Sequence, residues 1–171
     1  MRIFIASSGE RLNMAIEVGS WLEGMNVEPV LWNEPEVFPL GAYTWDALID
    51  LSENVDAAIF IFGEDDQIWF RGESTMTVRD NVLLEYGLFS GKLSKANTIF
   101  LCDGRPKLAS DLEGITWGDI RKKNSVRIKL ENWINSIRAS NQKKVKGFKI
   151  TDLNDAFQIA LKNQKTEKLR I

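Results

Sequence analysis

Histidine is absent from the 171-residue chain, and cysteine occurs once, as Cys102. The first absence removes the Ser-His-Asp triad, the Cys-His dyad and every imidazole metal site. Any chemistry must therefore run on carboxylates, hydroxyls, Lys or Arg. The lone thiol excludes an internal disulfide and fits a reducing compartment. Neither a Walker A sequence nor GxGxxG occurs, so a P-loop and the usual dinucleotide-binding turn are both missing. No apolar run approaches the ~18 residues of a membrane span, and no basic segment leads into an apolar one at the N-terminus. Neither a transmembrane helix nor a signal peptide is read, and the cytoplasm is the expected compartment. Charge of one sign is also lacking: 22 basic and 24 acidic residues leave a net −2. No global field draws in nucleic acid or a membrane surface, and neither is an expected partner.

What is present is enough for one globular domain. At 44% hydrophobic residues the chain can bury about 70% of its unfolded surface without disulfide or metal. Arg2–Ala6 reads as a short strand that feeds, through Ser7, Ser8, Gly9 and Glu10, a helix running to Gly24 with Leu12, Ala15, Ile16, Gly19 and Leu22 at helical spacing. A helix N-terminus offers unpaired N–H groups, so Ser7–Gly9 are candidates to hold a phosphate or ribose hydroxyl, or form an ordinary N-cap. Val27–Trp32 is a second strand, and Pro29 inside it suggests an edge position or irregular pairing. The loop that follows, from Asn33 to Tyr43, is too long for a mere connector. With Trp32 at its root and Phe38 within it, it offers aromatic faces that either stack on a base or pack on the core.

Thr44 opens a short helix to Asn54. Ala57–Phe62 is a continuous apolar strand of the kind buried on both faces of a parallel sheet. The acidic run Gly63–Asp66 fits no hard-cation spacing and reads as a solvated turn. Gln67–Met76 brings Trp69 and Phe70 over the mouth of the cleft. From Val78 to Leu93 a helix places Val82, Tyr86, Phe89 and Leu93 on one stripe, with Glu85 on its shoulder. Gly87 and Gly91 suggest close approach to its backbone. Asn97–Cys102 is a fourth strand, a small edge strand is expected near Ile115, and Ser125–Ser140 is a closing helix. Beyond it, 140–171 is expected to be a basic connector and a last amphipathic helix over Thr151–Lys162, appended to a domain of residues 1–139.

This alternation predicts an α/β fold, a flavodoxin-like doubly wound parallel sheet in the order 2-1-3-4-5. Ligands of such sheets bind beyond the carboxyl ends of the strands, at the switch between the first and third. Ser7–Gly9, Trp32 and its loop, Gly63, and the start of the helix at Arg79, Asp80 and Asn81 converge there.

The segments RIFIASSGE, VFPL after Trp32, IFIFGEDD, SDLEGITW and above all VRDNVLLEYGLFSGKL resemble a bacterial TIR-like family of nucleotide-binding proteins. That family includes the TIR domains fused to STING-like sensors in anti-phage defence, and the resemblance covers about residues 1–118. It implies a TIR fold that cleaves NAD⁺ as substrate when copies assemble into an oligomer or filament. It also implies a cyclic-nucleotide sensor as fused domain or partner, and a catalytic glutamate at Glu85. No metal or further cofactor is expected. The chemistry is compatible: breaking the nicotinamide–ribose bond makes an oxocarbenium-like sugar that one carboxylate can stabilise, and the cationic leaving group needs no acid. Ser7 and Ser8 are then expected at ribose or phosphate, Trp32 and Phe38 at a base, and Arg79 either at a phosphate or as a helix-capping charge. A nucleoside deoxyribosyltransferase-like enzyme and a non-catalytic nucleotide-binding or adaptor module are the alternatives.

Overall fold

The computed structural model describes residues 1–38, 41 and 43–147, with side chains to residue 142. Two compact units are present, Met1–Glu131 and Asn132–Ile171. The expected connector beyond residue 147 and the helix over Thr151–Lys162 lie outside the described residues. So do positions 39, 40 and 42 of the long loop.

Five parallel strands form the central sheet: β1 (Arg2–Ser7), β2 (Glu28–Leu31), β3 (Ala57–Gly63), β6 (Thr98–Asp103) and β7 (Gly118–Asp119). Their order is β2-β1-β3-β6-β7, which is the expected 2-1-3-4-5. The helices are α1 (Leu12–Glu23), α2 (Thr44–Glu53), α3 (Asp80–Leu93) and α4 (Lys123–Gly147). A separate antiparallel hairpin, β4 (Asp66–Phe70) with β5 (Glu73–Thr77), stands between β3 and α3. Among the described residues no helix is long and apolar enough to cross a membrane.

Every residue of β3 is buried, because the strand has neighbours on both edges and helices over both faces. Its alternate side chains separate accordingly. Phe60 and Phe62 join Phe4, Phe100, Leu48 of α2, and Val82, Tyr86 and Phe89 of α3 in one cluster. On the opposite face Ile5 approaches Gly19 of α1, and Leu101 lies with Val126 of α4 around Gly118.

Rings hold α3 in place. Phe89 stacks on Phe4 at 4.9 Å between centroids, and Tyr86 meets Phe60 edge-on at 5.5 Å. Such pairs prefer these two geometries and add to what area burial alone contributes. The predicted stripe is therefore the buried one, and the rotation of α3 is set by it.

β2 is an edge strand, the first of the two positions Pro29 suggested, with Pro29 opposite Ile3. The N–H groups of Glu28 and Trp32 donate inward to the carbonyls of Met1 and Ile5, while Leu31 N–H, which faces outward, donates to Glu34 Oε1 at 3.1 Å.

Several expectations change. The last strand is β7 at Gly118–Asp119, three residues beyond Ile115. Gln67–Met76 is a hairpin whose turn has Arg71 and Gly72 at φ 51° and 88°. Its register divides the faces: Ile68 and Phe70 lie on one, with Lys107 Nζ 4.1 Å from the Phe70 ring, while Trp69 and Met76 lie on the other, exposed. A Cβ at Gly87 or Gly91 would meet nothing within 4 Å, so neither glycine marks a close approach. The closing helix starts at Lys123 and runs to Gly147, because Asn141–Lys146 contains no helix breaker.

Candidate active site

Glu85 sits one residue before Tyr86, on the shoulder of the buried stripe. Seven residues on, and so on the same face, Lys92 donates to Glu53 of α2 at 3.0 Å. That pair orients the Glu85 side of α3 toward α2. Glu85 is half-buried, and among the described residues it has no hydrogen bond or ion pair. Burial alone pushes its pKa up to about 7, since a carboxylate loses hydration there and gains no cation.

At the carboxyl end of β1, Ser7 and Ser8 are buried and Gly9 opens a 3-10 turn. The Ser7 hydroxyl donates to the Ser8 carbonyl at 2.9 Å and accepts from Trp32 Nε1 at 3.0 Å. Ser8 caps nothing with its side chain, and its Oγ is buried without a partner. Trp32 and Phe38 are partly buried against the aromatic cluster. The structure thus brings Ser7, Trp32 and Phe38 to one end of the sheet, with both rings packed on the core. Trp32→Ala is expected to cost about 2 to 3 kcal/mol, below the usual range for a fully buried ring. Trp32→Phe, which loses the bond to Ser7, should cost about 1 kcal/mol. Urea unfolding of the two variants measures both.

Arg79 precedes α3, and its Nη2 reaches Glu10 Oε1 at 2.9 Å and Asp66 Oδ1 at 3.2 Å. Those carboxylates raise the Arg79 pKa, Asp66 more than Glu10. Asp80 turns back to accept from the Asn81 N–H at 2.7 Å, and Asn81 is exposed. Asp80 also lines an apolar groove with Trp45, Leu84 and Gly87, away from Ser7 and Trp32. Neither Ser7, Ser8, Trp32 nor Arg79 makes a hydrogen bond or ion pair with Glu85.

The acidic run after β3 is not the solvated turn expected. Asp65 has a side chain only 1% exposed and lies 3.3 Å from Arg11 Nε, which also approaches Asp103 at 3.2 Å. Arg11 lies so close over Gly63 that a Cβ there would collide with its guanidinium. Gly63 is thus a seat for Arg11, and its side-chain position is closed to a ligand. Sequence reading missed Arg11, Asp65 and Asp103, and the only available signal was a glycine followed by acids at a strand end. Among the described residues no group of three or more Cys, Asp or Glu could hold a metal ion.

Known proteins are similar to this chain. The family described as CAP12/Pycsar effector protein, TIR domain, matches residues 2–122. CD-NTase-associated protein 12 of Sphingobacterium faecium is 34% identical over 137 residues, 80% of this chain and 42% of that protein. The Pycsar effector protein PaPycTIR of Pseudomonas aeruginosa is 37% identical over 117 residues, 67% of this chain and 37% of that one. The chain spans about two-fifths of the length of these curated relatives. Among solved structures, the TIR domain of the Toll-related receptor TRR-2 from Hydra magnipapillata superposes with a TM-score of 0.57 at 17% identity, covering 80% of this chain and 97% of that one. The family match spans most of the chain and the curated relatives exceed 30% identity over two thirds of it or more: the chain belongs to the family of CAP12/Pycsar effector TIR domains.

Proposed function

We propose that this domain hydrolyses NAD⁺ at the nicotinamide–ribose bond, with Glu85 as the catalytic carboxylate, and serves as an effector in bacterial anti-phage defence. The reading rests on one observation above all: Glu85 is a half-buried carboxylate that no cation neutralises. Such a group is expensive to ionise in the empty site, and the cost is recovered when positive charge develops beside it. The bond from ribose C1′ to the pyridinium nitrogen breaks with its electron pair returning to the ring, so nicotinamide leaves neutral. The positive charge passes to the ribose, where Glu85 stabilises it. Water then adds to C1′ and loses a proton to solvent, giving ADP-ribose, nicotinamide and H⁺.

In this reading Ser7, Ser8 and Gly9 border the ribose and phosphates. Trp32 and Phe38 form the aromatic wall, and Arg79 meets a phosphate. Asp80 and Asn81 charge and cap the N-terminal turn of α3. Assembly of copies, and a cyclic-nucleotide signal delivered by a sensor module, belong to the same proposal. They match relatives named for association with a CD-NTase and nearly twice as long as this chain. The cytoplasm is the compartment in which such an effector would act.

The test is a pH profile of nicotinamide release by concentrated protein. If ionised Glu85 is required, kcat/KM rises about tenfold per unit below pH 7 and levels off above it. A profile that is flat from about pH 5.5 to 8.5 removes Glu85 from the role.

A further inference from the structure

Arg79 stands where the fold class places ligands. Glu10 follows β1 and Asp66 follows β3, and these strands flank the switch point of the sheet. Arg79 bridges the two loops directly across that point. Both carboxylates share one nitrogen, Nη2, at 2.9 and 3.2 Å. Among the described residues the Nε and Nη1 donors of Arg79 have no partner. Ser8, only 3% exposed, makes no hydrogen bond of normal geometry, yet its hydroxyl lies near enough to Glu10 to help hold that carboxyl's pKa down.

We propose that Glu10 and Asp66 are internal anions that occupy Arg79 in the empty domain and are displaced when the pyrophosphate of a dinucleotide binds there. The inference rests on the dinucleotide reading above and adds what sets the affinity of that site. The side chains of Glu10, Asp66 and Arg79 are 52%, 37% and 34% exposed. Pairs so open to water hold weakly. A phosphate that engages a guanidinium through two parallel N–H bonds is held more strongly, and two free donors are available for it. The exchange therefore favours the ligand, but the carboxylates compete with it at every concentration. They act as a latch that lowers affinity without touching the reacting bond.

The experiment titrates ADP-ribose, which carries the pyrophosphate but no scissile bond, into wild-type protein and single variants, with inorganic pyrophosphate as a second probe. Glu10→Gln and Asp66→Asn keep shape and remove charge. Each is expected to tighten binding about two- to fivefold, the range that release of an exposed pair allows. Arg79→Ala should weaken binding tenfold or more, and Glu10→Gln added to Arg79→Ala should change nothing further. Unchanged or weaker binding in Glu10→Gln, or a gain that persists without Arg79, overturns the latch. If Asp66→Asn loosens the hairpin and lowers the melting temperature, Glu10→Gln alone decides. Pyrophosphate separates the two readings. If its affinities follow this order while nicotinamide is never released, the latch stands and the hydrolase reading falls.

Discussion

Glu85→Gln is expected to lower nicotinamide release about 10²-fold or more while leaving the fold intact, because the amide keeps the shape of the side chain and removes the charge that faces the transition state. Stability supplies a second readout of opposite sign. The Glu85 pKa stands near 7 in the folded domain against 4.5 for the unperturbed group, so the folded state holds this proton more tightly. Its contribution to stability is complete below pH 4.5 and is lost as pH rises through 7. The Gln variant, which never ionises, should therefore melt at the same temperature as wild type near pH 4 and several degrees higher at pH 8. Wild-type turnover in a folded Gln variant, or a variant that is less stable at pH 8, would refute the role assigned to Glu85.

Arg11→Met should be among the most damaging single changes in the domain. It leaves Asp65 as a carboxylate with a 1% exposed side chain and no cation, and both of its oxygens already lack hydrogen bonds. Breaking one side of a buried ion pair costs about 3 to 5 kcal/mol, most of it from the charge left behind. Adding Asp65→Asn to Arg11→Met should therefore recover a large part of the loss. Urea unfolding of wild type, the single variant and the double variant measures this. A loss of less than about 1 kcal/mol in Arg11→Met would mean that water reaches Asp65.

The sheet order was legible because its signals are local. β3 is an unbroken apolar run and α3 carries a clear 3.6-residue stripe. Glu85 could be placed on the shoulder of that stripe from spacing alone. That it is half-buried and unpaired could not, since this depends on what packs alongside from other parts of the chain. The hairpin was missed for a chemical reason: a two-residue turn with positive φ at both positions is usually announced by Asn-Gly, and here it is Arg71-Gly72. The Arg11 cluster joins the ends of three strands from distant parts of the chain, and no spacing encodes it. Gly87 and Gly91 misled in the other direction, since their Cβ positions face open space.

The sheet is closed to growth at both sides. A strand arriving beside β2 would find no N–H on Pro29, and the outward N–H of Leu31 is already taken by Glu34. At the other side β7 offers only two residues, too few to template a neighbour. Among the described residues neither edge offers a full backbone ladder for a second copy to extend. Were copies to assemble as proposed, they would join through side chains on helices, loops or the hairpin, and such an array would come apart without unzipping a backbone ladder.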